Sequence, residues 1–361
     1  MVRSSRPVLA TVALATAAFL AGTLAPSAAA PSAAGRSAPP DTFRQVAGGL
    51  DAPLSLAVSG NDSLWVAQSF AGNLTRQRPG REPRVVWQGK RVSTAGVSVR
   101  RKKVVFTTAG RDALLWRFVR RGHARQIADI GRFERNHNPD SGTAYGLPDL
   151  DAECAAQWPV EMAGPHTYTG IVESNPYATE MTGHGIYVAD AAGNAILHVA
   201  RGNVSLVSVL PTIPIVITAE VAEEFGLPAC VVGETYHFEP VPTDVEMGRD
   251  GMLYVTSLPG GPEGLGANGS VFRIDPSTGV AERLVTGLVT ATGLDLNREG
   301  DIYVAQLFAG EIVRIPAGTT TPERYKQVTL PADVEWRAGR IFATTMTLAG
   351  PGAGAVESWA D

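Results

Sequence analysis

The chain lacks the short motifs that usually announce an activity. It has no GxSxG nucleophile elbow and no HExxH zinc motif. Its six histidines (His123, His137, His166, His184, His198 and His237) show no metal-ligand spacing. A run GLGANG from Gly264 satisfies the GxGxxG pattern, yet it opens the strand-like SVFRI rather than a helix. No helix N-terminus is then available for a pyrophosphate, which excludes a dinucleotide fingerprint. Charge is sparse and nearly balanced, 31 Lys and Arg against 35 Asp and Glu, which gives no footing for nucleic acid. Only two cysteines occur, Cys154 and Cys230.

Repetition is what the sequence has instead. VAQSFAGNLTR, Val66 to Arg76, returns as VAQLFAGEIVR, Val304 to Arg314. Around these words lies a shared frame of hydrophobic strand, polar turn, strand ending in aromatic-Val-Ala, loop and third strand. It starts at Pro53, Pro176, Pro242, Ala291 and Pro331, with a weaker copy at Thr94. A further β-rich run follows most copies, as in RVVWQ from Arg84 and VSLVSVL from Val204. Alternating apolar positions with Gly or Asn/Asp turns make each unit a four-stranded antiparallel blade. A lone blade cannot cover both faces, and radial stacking solves this. The predicted fold is therefore all-β, a six-bladed β-propeller. The sixth unit runs out after three strands, while FRQV from Phe43 matches YKQV from Tyr325. Residues 42–47 are expected to supply the missing strand, closing the ring and removing exposed edges.

Arg3 and Arg6 precede an apolar run, Val8 to Leu24, and then small residues through Ala30. This reads as a secretory signal peptide over 1–29, cleaved after Ala29. Residues 30–40 read as an Ala/Ser/Pro linker, and 41–361 as one propeller domain. Export would suit a single structural disulfide between Cys154 and Cys230. They lie in insertions at 131–170 and 211–241, whose positions between consecutive units put both on one face. The first insertion reads as loop with a short helix near Asp149 to Gln157. Between Arg76 and Arg125 lie 15 Lys and Arg against Glu82 and Asp112. That basic flank is a solvated surface or a contact for an anionic polymer or cell surface.

Loops joining second and third strands emerge on the insertion-bearing face, and such loops usually carry function. Ligand contacts are expected from Gln68, Phe70, Asp190, Asn194, Gln306 and Phe308, since amides beside aromatic rings suit sugars or planar rings. Carboxylates give a second candidate. Asp244, Glu246, Asp295, Asp333 and Glu335, with Glu180, recur at alternate positions of inner strands, which line the channel. Asp244, Glu246 and Asp333 are the candidate metal ligands, with Ca²⁺ the ion that oxygen donors suit. The bland reading pairs these acids with arginines or water. Asp149, Asp151 and Glu153 beside Cys154 read as a solvated acidic loop.

At SNPYATEM (Ser174 to Met181), VADAAGNAIL (Val188 to Leu197) and VPTDVEMGRDGMLYVTSLPGGPEGLGANGSVFRI (Val241 to Ile274) the chain resembles the ScyD/ScyE family of exported NHL-like β-propellers. The resemblance covers most of 43–361 and implies the fold and export rather than a reaction. Six-bladed lactonases of the gluconolactonase type are the enzymatic relatives. Their pattern implies a Glu, an Asn and an Asp at inner-strand entrances holding a divalent cation. The entrance positions aligned with the Asn and Asp are here Leu54, Ala95, Tyr177, Thr243, Thr292 and Ala332. None carries an amide or carboxylate, so Asp244 or Asp333, one position on, would have to serve. The expected function is binding of a small molecule, glycan or protein on the loop-rich face. The alternative is a metal-dependent, lactonase-like hydrolase working in the channel.

Overall fold

The computed structural model describes residues 43–110, 112–261 and 267–361. The expected signal peptide and linker lie outside the described residues, as does the start of GLGANG. Among the described residues, twenty-eight strands form four-stranded antiparallel sheets, an all-β arrangement consistent with a propeller.

Five sheets are simple meanders of consecutive strands. The first runs through Pro53–Val58, Leu64–Gln68, Asn73–Gln77 and Arg84–Gln88. The second comprises Val92–Arg100, Lys103–Gly110, Leu114–Arg120 and His123–Asp129. The third comprises Pro176–Met181, Ile186–Asp190, Ala195–Ala200 and Asn203–Val209. The fourth holds Pro240–Met247, Leu253–Pro259, Gly269–Ile274 and Ala281–Leu288. The fifth holds Ala291–Leu296, Ile302–Gln306, Glu311–Ile315 and Glu323–Gln327. A sixth combines Val334–Trp336, Arg340–Thr345 and Gly354–Ala360 with the N-terminal Arg44–Leu50. Here Arg44 faces Ser358, Gln45 faces Glu357 and Ala47 faces Val356.

Burial follows position within the sheet. Leu64–Gln68, Ile186–Asp190 and Ile302–Gln306 are buried at every residue, because each is covered on both faces. The outermost strands Arg84–Gln88 and Glu323–Gln327 are half-exposed and carry the charge. Apolar side chains interlock between successive sheets: Trp65 and Leu74 with Val104 and Phe106, Val105 and Leu115 with Val188 and Leu197. Ala189 and Ile196 meet Val255 and Phe272; Val271 and Val285 meet Val304 and Val313. Tyr303 and Ile312 pack with Ile341 and Trp359. Leu50, Phe342 and Val356 pack in turn with Leu56 and Val66 of the first sheet.

The two insertions are not loops. They weave a seventh sheet in the order Thr167–Thr169, Ala144–Gly146, Thr235–Phe238, Ile213–Val216. The helix Ile130–His137 packs on Leu114–Arg120 and Asn203–Val209, and Ala219–Glu224 adds Ala222 to the core of the inserted layer. The short helix expected near Asp149 is Ala152–Ala155, capped by Asp151, whose Oδ1 accepts from the amides of Glu153 and Cys154. Leu147, Cys154, Trp158, Ile217, Ala222 and Val231 give this layer its own core. Cys154 and Cys230 are joined by a disulfide with Cα atoms 5.9 Å apart.

Leu50 is 1% exposed and is the largest side chain that the N-terminal strand buries. Leu50→Ala is expected to cost about 2–5 kcal/mol, measured by chemical denaturation. A loss well below 1 kcal/mol would mean that this strand contributes little to the sixth sheet.

Candidate functional site in the acidic channel

The first strand of each sheet has a free edge on its inner side, and its amides need partners. Side chains from the neighbouring sheet supply several. Ser55 Oγ accepts from Val97 N at 3.1 Å. Asp244 Oδ2 accepts from Leu294 N at 2.8 Å and Asp333 Oδ2 from Leu56 N at 2.6 Å. Their Oδ1 atoms accept from Val245 N and Val334 N of their own strands. Asp295 repeats the device two residues further along, accepting from Leu296 N and Trp336 N, both at 2.6 Å. The strands approach so closely that a Cβ on Gly96 would lie 2.5 Å from Ala178 Cα, and one on Gly293 2.6 Å from Asp333 Cα. Only glycine fits there.

Glu180, Glu246 and Glu335 occupy the level of Asp295 and are half-buried. None of the ion pairs among the described residues involves any of these six acids. Burial holds the Glu180 carboxyl up at about 7, with Asp244 adding to it and Arg100 opposing. Asp244 and Asp295 are likewise pushed to about 7 by burial, against the amides they accept. Glu246, Asp333 and Glu335 are raised further, first by burial and then by the charges of their acidic neighbours. The channel therefore holds a proton-rich set of carboxyls that interact with one another.

Just beyond this level, away from the insertions, lies a cavity of about 190 Å³ lined by Met247, Arg249, Leu296, Asn297, Arg298, Gly300 and Trp336. The Arg298 guanidinium lies 5.9 Å from the Trp336 ring centroid, and Trp336 Nε1 donates to Asp361 Oδ2 at 2.6 Å. A cationic, aromatic mouth thus adjoins the acidic interior. The sequence puts its ligand contacts on the insertion-bearing face and its candidate metal ligands in the channel. Arg249 and Arg298 sit in hairpin turns, where a lone arginine carries no signal of a site.

The expected ligand contacts separate into two kinds. Gln68 spends its amide internally: Oε1 accepts from Asp51 N, and Nε2 donates to Asn73 Oδ1 and Thr75 Oγ1. Gln306 does the same with Val289 N and Glu311 Oε1. Both glutamines are buried, so the repeated Gln is a packing element rather than a presented amide. Phe70 and Phe308 are 63% and 53% exposed. Asp190 and Asn194 are buried beneath the inserted segments.

Of the candidate metal ligands, Asp244 and Asp333 have both oxygens engaged by main-chain amides, while Glu246 has no such engagement. The all-oxygen donor set suits a hard cation. Among the described residues, however, no three His, Cys, Asp or Glu side chains are gathered as a metal centre. The channel acids as placed do not form a coordination sphere.

No protein-family model matches the chain, and no curated protein matches its sequence. Similarity appears at the level of solved β-propeller structures. A gluconolactonase from Xanthomonas campestris superposes with a TM-score of 0.56 at 12% identity, covering 88% of this chain and 89% of that one. A luciferin-regenerating enzyme gives 0.55 at 10% identity, covering 89% and 95%. The PQQ-bound aldose sugar dehydrogenase of Streptomyces coelicolor gives 0.52 at 13% identity, covering 90% and 100%. At such identities the likeness is one of fold.

The channel carboxyls also make stability depend on pH. Their values in the unfolded chain lie near about 4 and are raised on folding. The folded state therefore binds more protons between those limits, and stability falls as pH rises through them. Thermal melts should show a Tm that declines from pH 5 to pH 8, with a shallower decline in Glu246→Gln/Glu335→Gln. An identical slope in that variant would refute the assignment.

Proposed function

We propose that the chain is a lactonase-like hydrolase whose reaction takes place in the acidic channel of a closed six-bladed propeller. The observation that carries this reading is the set of mutually raised carboxyls, of which Glu246, Asp295 and Glu335 each precede in sequence a residue lining the Arg249, Arg298 and Trp336 cavity. Proton transfer is most effective from groups whose values lie near the working pH, and environments that raise carboxyls unequally divide them into acid and base. An ionised Glu180, the least raised of the three glutamates, takes a proton from water as the water oxygen bonds to the ester or lactone carbonyl carbon, with Glu246 and Glu335 the protonated partners. A protonated neighbour gives its proton to the departing alkoxide oxygen as the carbon–oxygen bond breaks. The products are an alcohol and a carboxylic acid, which gives up the water's second proton to solvent, and Arg249 and Arg298 hold the resulting carboxylate at the mouth. Asp244, Asp295 and Asp333 keep the inner strands in register around the reacting groups.

Several expectations belong with this reading. Pairing of Arg44–Leu50 on the last strand closes the ring of six. The chain is exported with loss of residues 1–29, a reading that the disulfide suits, and it is a ScyD/ScyE-type protein. The basic segment 76–125 meets an anionic surface. A second reading, ligand binding on the insertion-bearing face without catalysis, draws on the exposed rings of Phe70 and Phe308.

Glu246→Gln and Glu335→Gln should each lower hydrolysis of a lactone and aryl-ester panel by about 10²–10⁴-fold, with Tm unchanged or raised. Arg298→Ala should raise KM more than it lowers kcat. Absence of turnover across the panel by the wild-type protein would defeat the hydrolase. Phe70→Ala/Phe308→Ala should leave that activity intact, and a loss there would favour the opposite face.

A further inference from the structure

A second acidic group lies under the insertions, apart from the channel. Glu134 comes from the helix Ile130–His137, and Asn138 and Asp140 follow that helix. Asp190 and Asn194 flank the turn between two strands of the third sheet, and Glu239 ends the second insertion. Asn194 Nδ2 donates to Asp140 Oδ2 at 3.0 Å and to Glu239 Oε2 at 3.3 Å. Tyr145 Oη donates to Asp140 Oδ2 at 3.0 Å. Asp190 accepts from Ser174 Oγ and Asn175 N, both at 2.6 Å, and from Gly193 N at 3.4 Å.

We propose that Glu134, Asn138, Asp140, Asp190, Asn194 and Glu239 form a divalent-cation site of the Ca²⁺ class that fastens both insertions to the third sheet. Four carboxylates meet here, and none takes part in an ion pair among the described residues. Oxygens are left over as well: Glu134 Oε1, Asn138 Oδ1, Asp140 Oδ1 and Asn194 Oδ1 are buried and have no hydrogen-bond partner. Glu134, Asp140 and Asn194 are only 2%, 1% and 1% exposed, so bulk water does not supply the missing partners. A buried carboxylate without a counter-charge is costly, and it takes up either a proton or a cation.

Glu134 is aimed into the group. Its Oε2 lies 3.2 Å, and Asp190 Cγ 3.5 Å, from the point where a side chain on Gly193 would begin. Carboxylate and amide oxygens without His or Cys suit Ca²⁺ rather than Zn²⁺. The carboxylates are not yet gathered at coordination distance. The two amide oxygens widen the donor set, and Glu134, on a long side chain, is the group the ion would draw in.

Tb³⁺, a Ca²⁺ substitute excited through nearby tyrosines, is the probe, used with the full disulfide-bonded protein. Tyr145 bonds Asp140 and packs against Tyr168 with ring centroids 5.5 Å apart, so both stand beside the proposed ion. Saturable Tb³⁺ emission, displaced by Ca²⁺, should appear in the wild type and in Glu246→Gln/Glu335→Gln. Glu134→Gln should weaken Tb³⁺ binding at least tenfold, and Glu134→Gln/Asp140→Asn should abolish it. Should the double variant fail to fold, the single variant decides. Ca²⁺ should also raise the Tm of the wild type and not that of Glu134→Gln. Overturning results are no sensitised emission in the wild type, emission unchanged in Glu134→Gln, or emission lost in the channel variant instead, which would place the ion in the channel.

Discussion

The unpaired inner edge of each first strand is the constraint on which the rest of the molecule depends. First strands present rows of amides along a free edge, and an unbonded buried amide is expensive. The chain answers with short side chains that reach across to the next sheet: Ser55 to Val97, Asp244 to Leu294, Asp333 to Leu56 and Asp295 to Trp336. These contacts set the stagger between sheets and demand glycine at 96 and 293, where the strands come closest. Apolar side chains between the sheets then interlock at the spacing so imposed.

That solution brings charge into the interior. Asp244, Asp295 and Asp333 each accept two amides at once, and those bonds oppose the rise that burial imposes on their carboxyls. Glu180, Glu246 and Glu335, longer and without such amide bonds from a neighbouring sheet, share the same space and feel the same field. Structural and chemically available acids therefore stand side by side, and the first kind raises the second. Arg100 eases Glu180 from one strand end, which leaves the remainder of the interior proton-hungry.

Repetition made the sheets legible in sequence, because each unit solves the same packing problem with the same words. The inner-strand acids were legible too, through their alternate spacing. The repeated Gln misled for a related reason: Gln68 and Gln306 match because each ties a loop amide to its own strand, not because each faces a ligand. The inserted layer was hidden. Its strands are three or four residues long, and its two halves join in the sheet only through Gly146 facing His237, with the whole third sheet between them in the chain, so no local period betrays them. Glu134, Asp140 and Glu239 share no spacing and converge only once that layer exists. The arginine-lined cavity was equally silent, since turns carry arginine for many reasons.

The seventh sheet has a consequence for the order of assembly. Its two halves are separated in the chain by the whole third sheet, Pro176–Met181 through Asn203–Val209. Neither half can find its partner until that intervening segment has curled back on itself, so the layer is a late, long-range acquisition. The Cys154–Cys230 bond encircles the same stretch, 76 residues in all. That bond closes a loop around the third sheet, so in the oxidised chain the two halves of the inserted layer stay tethered to each other even when the sheet between them opens.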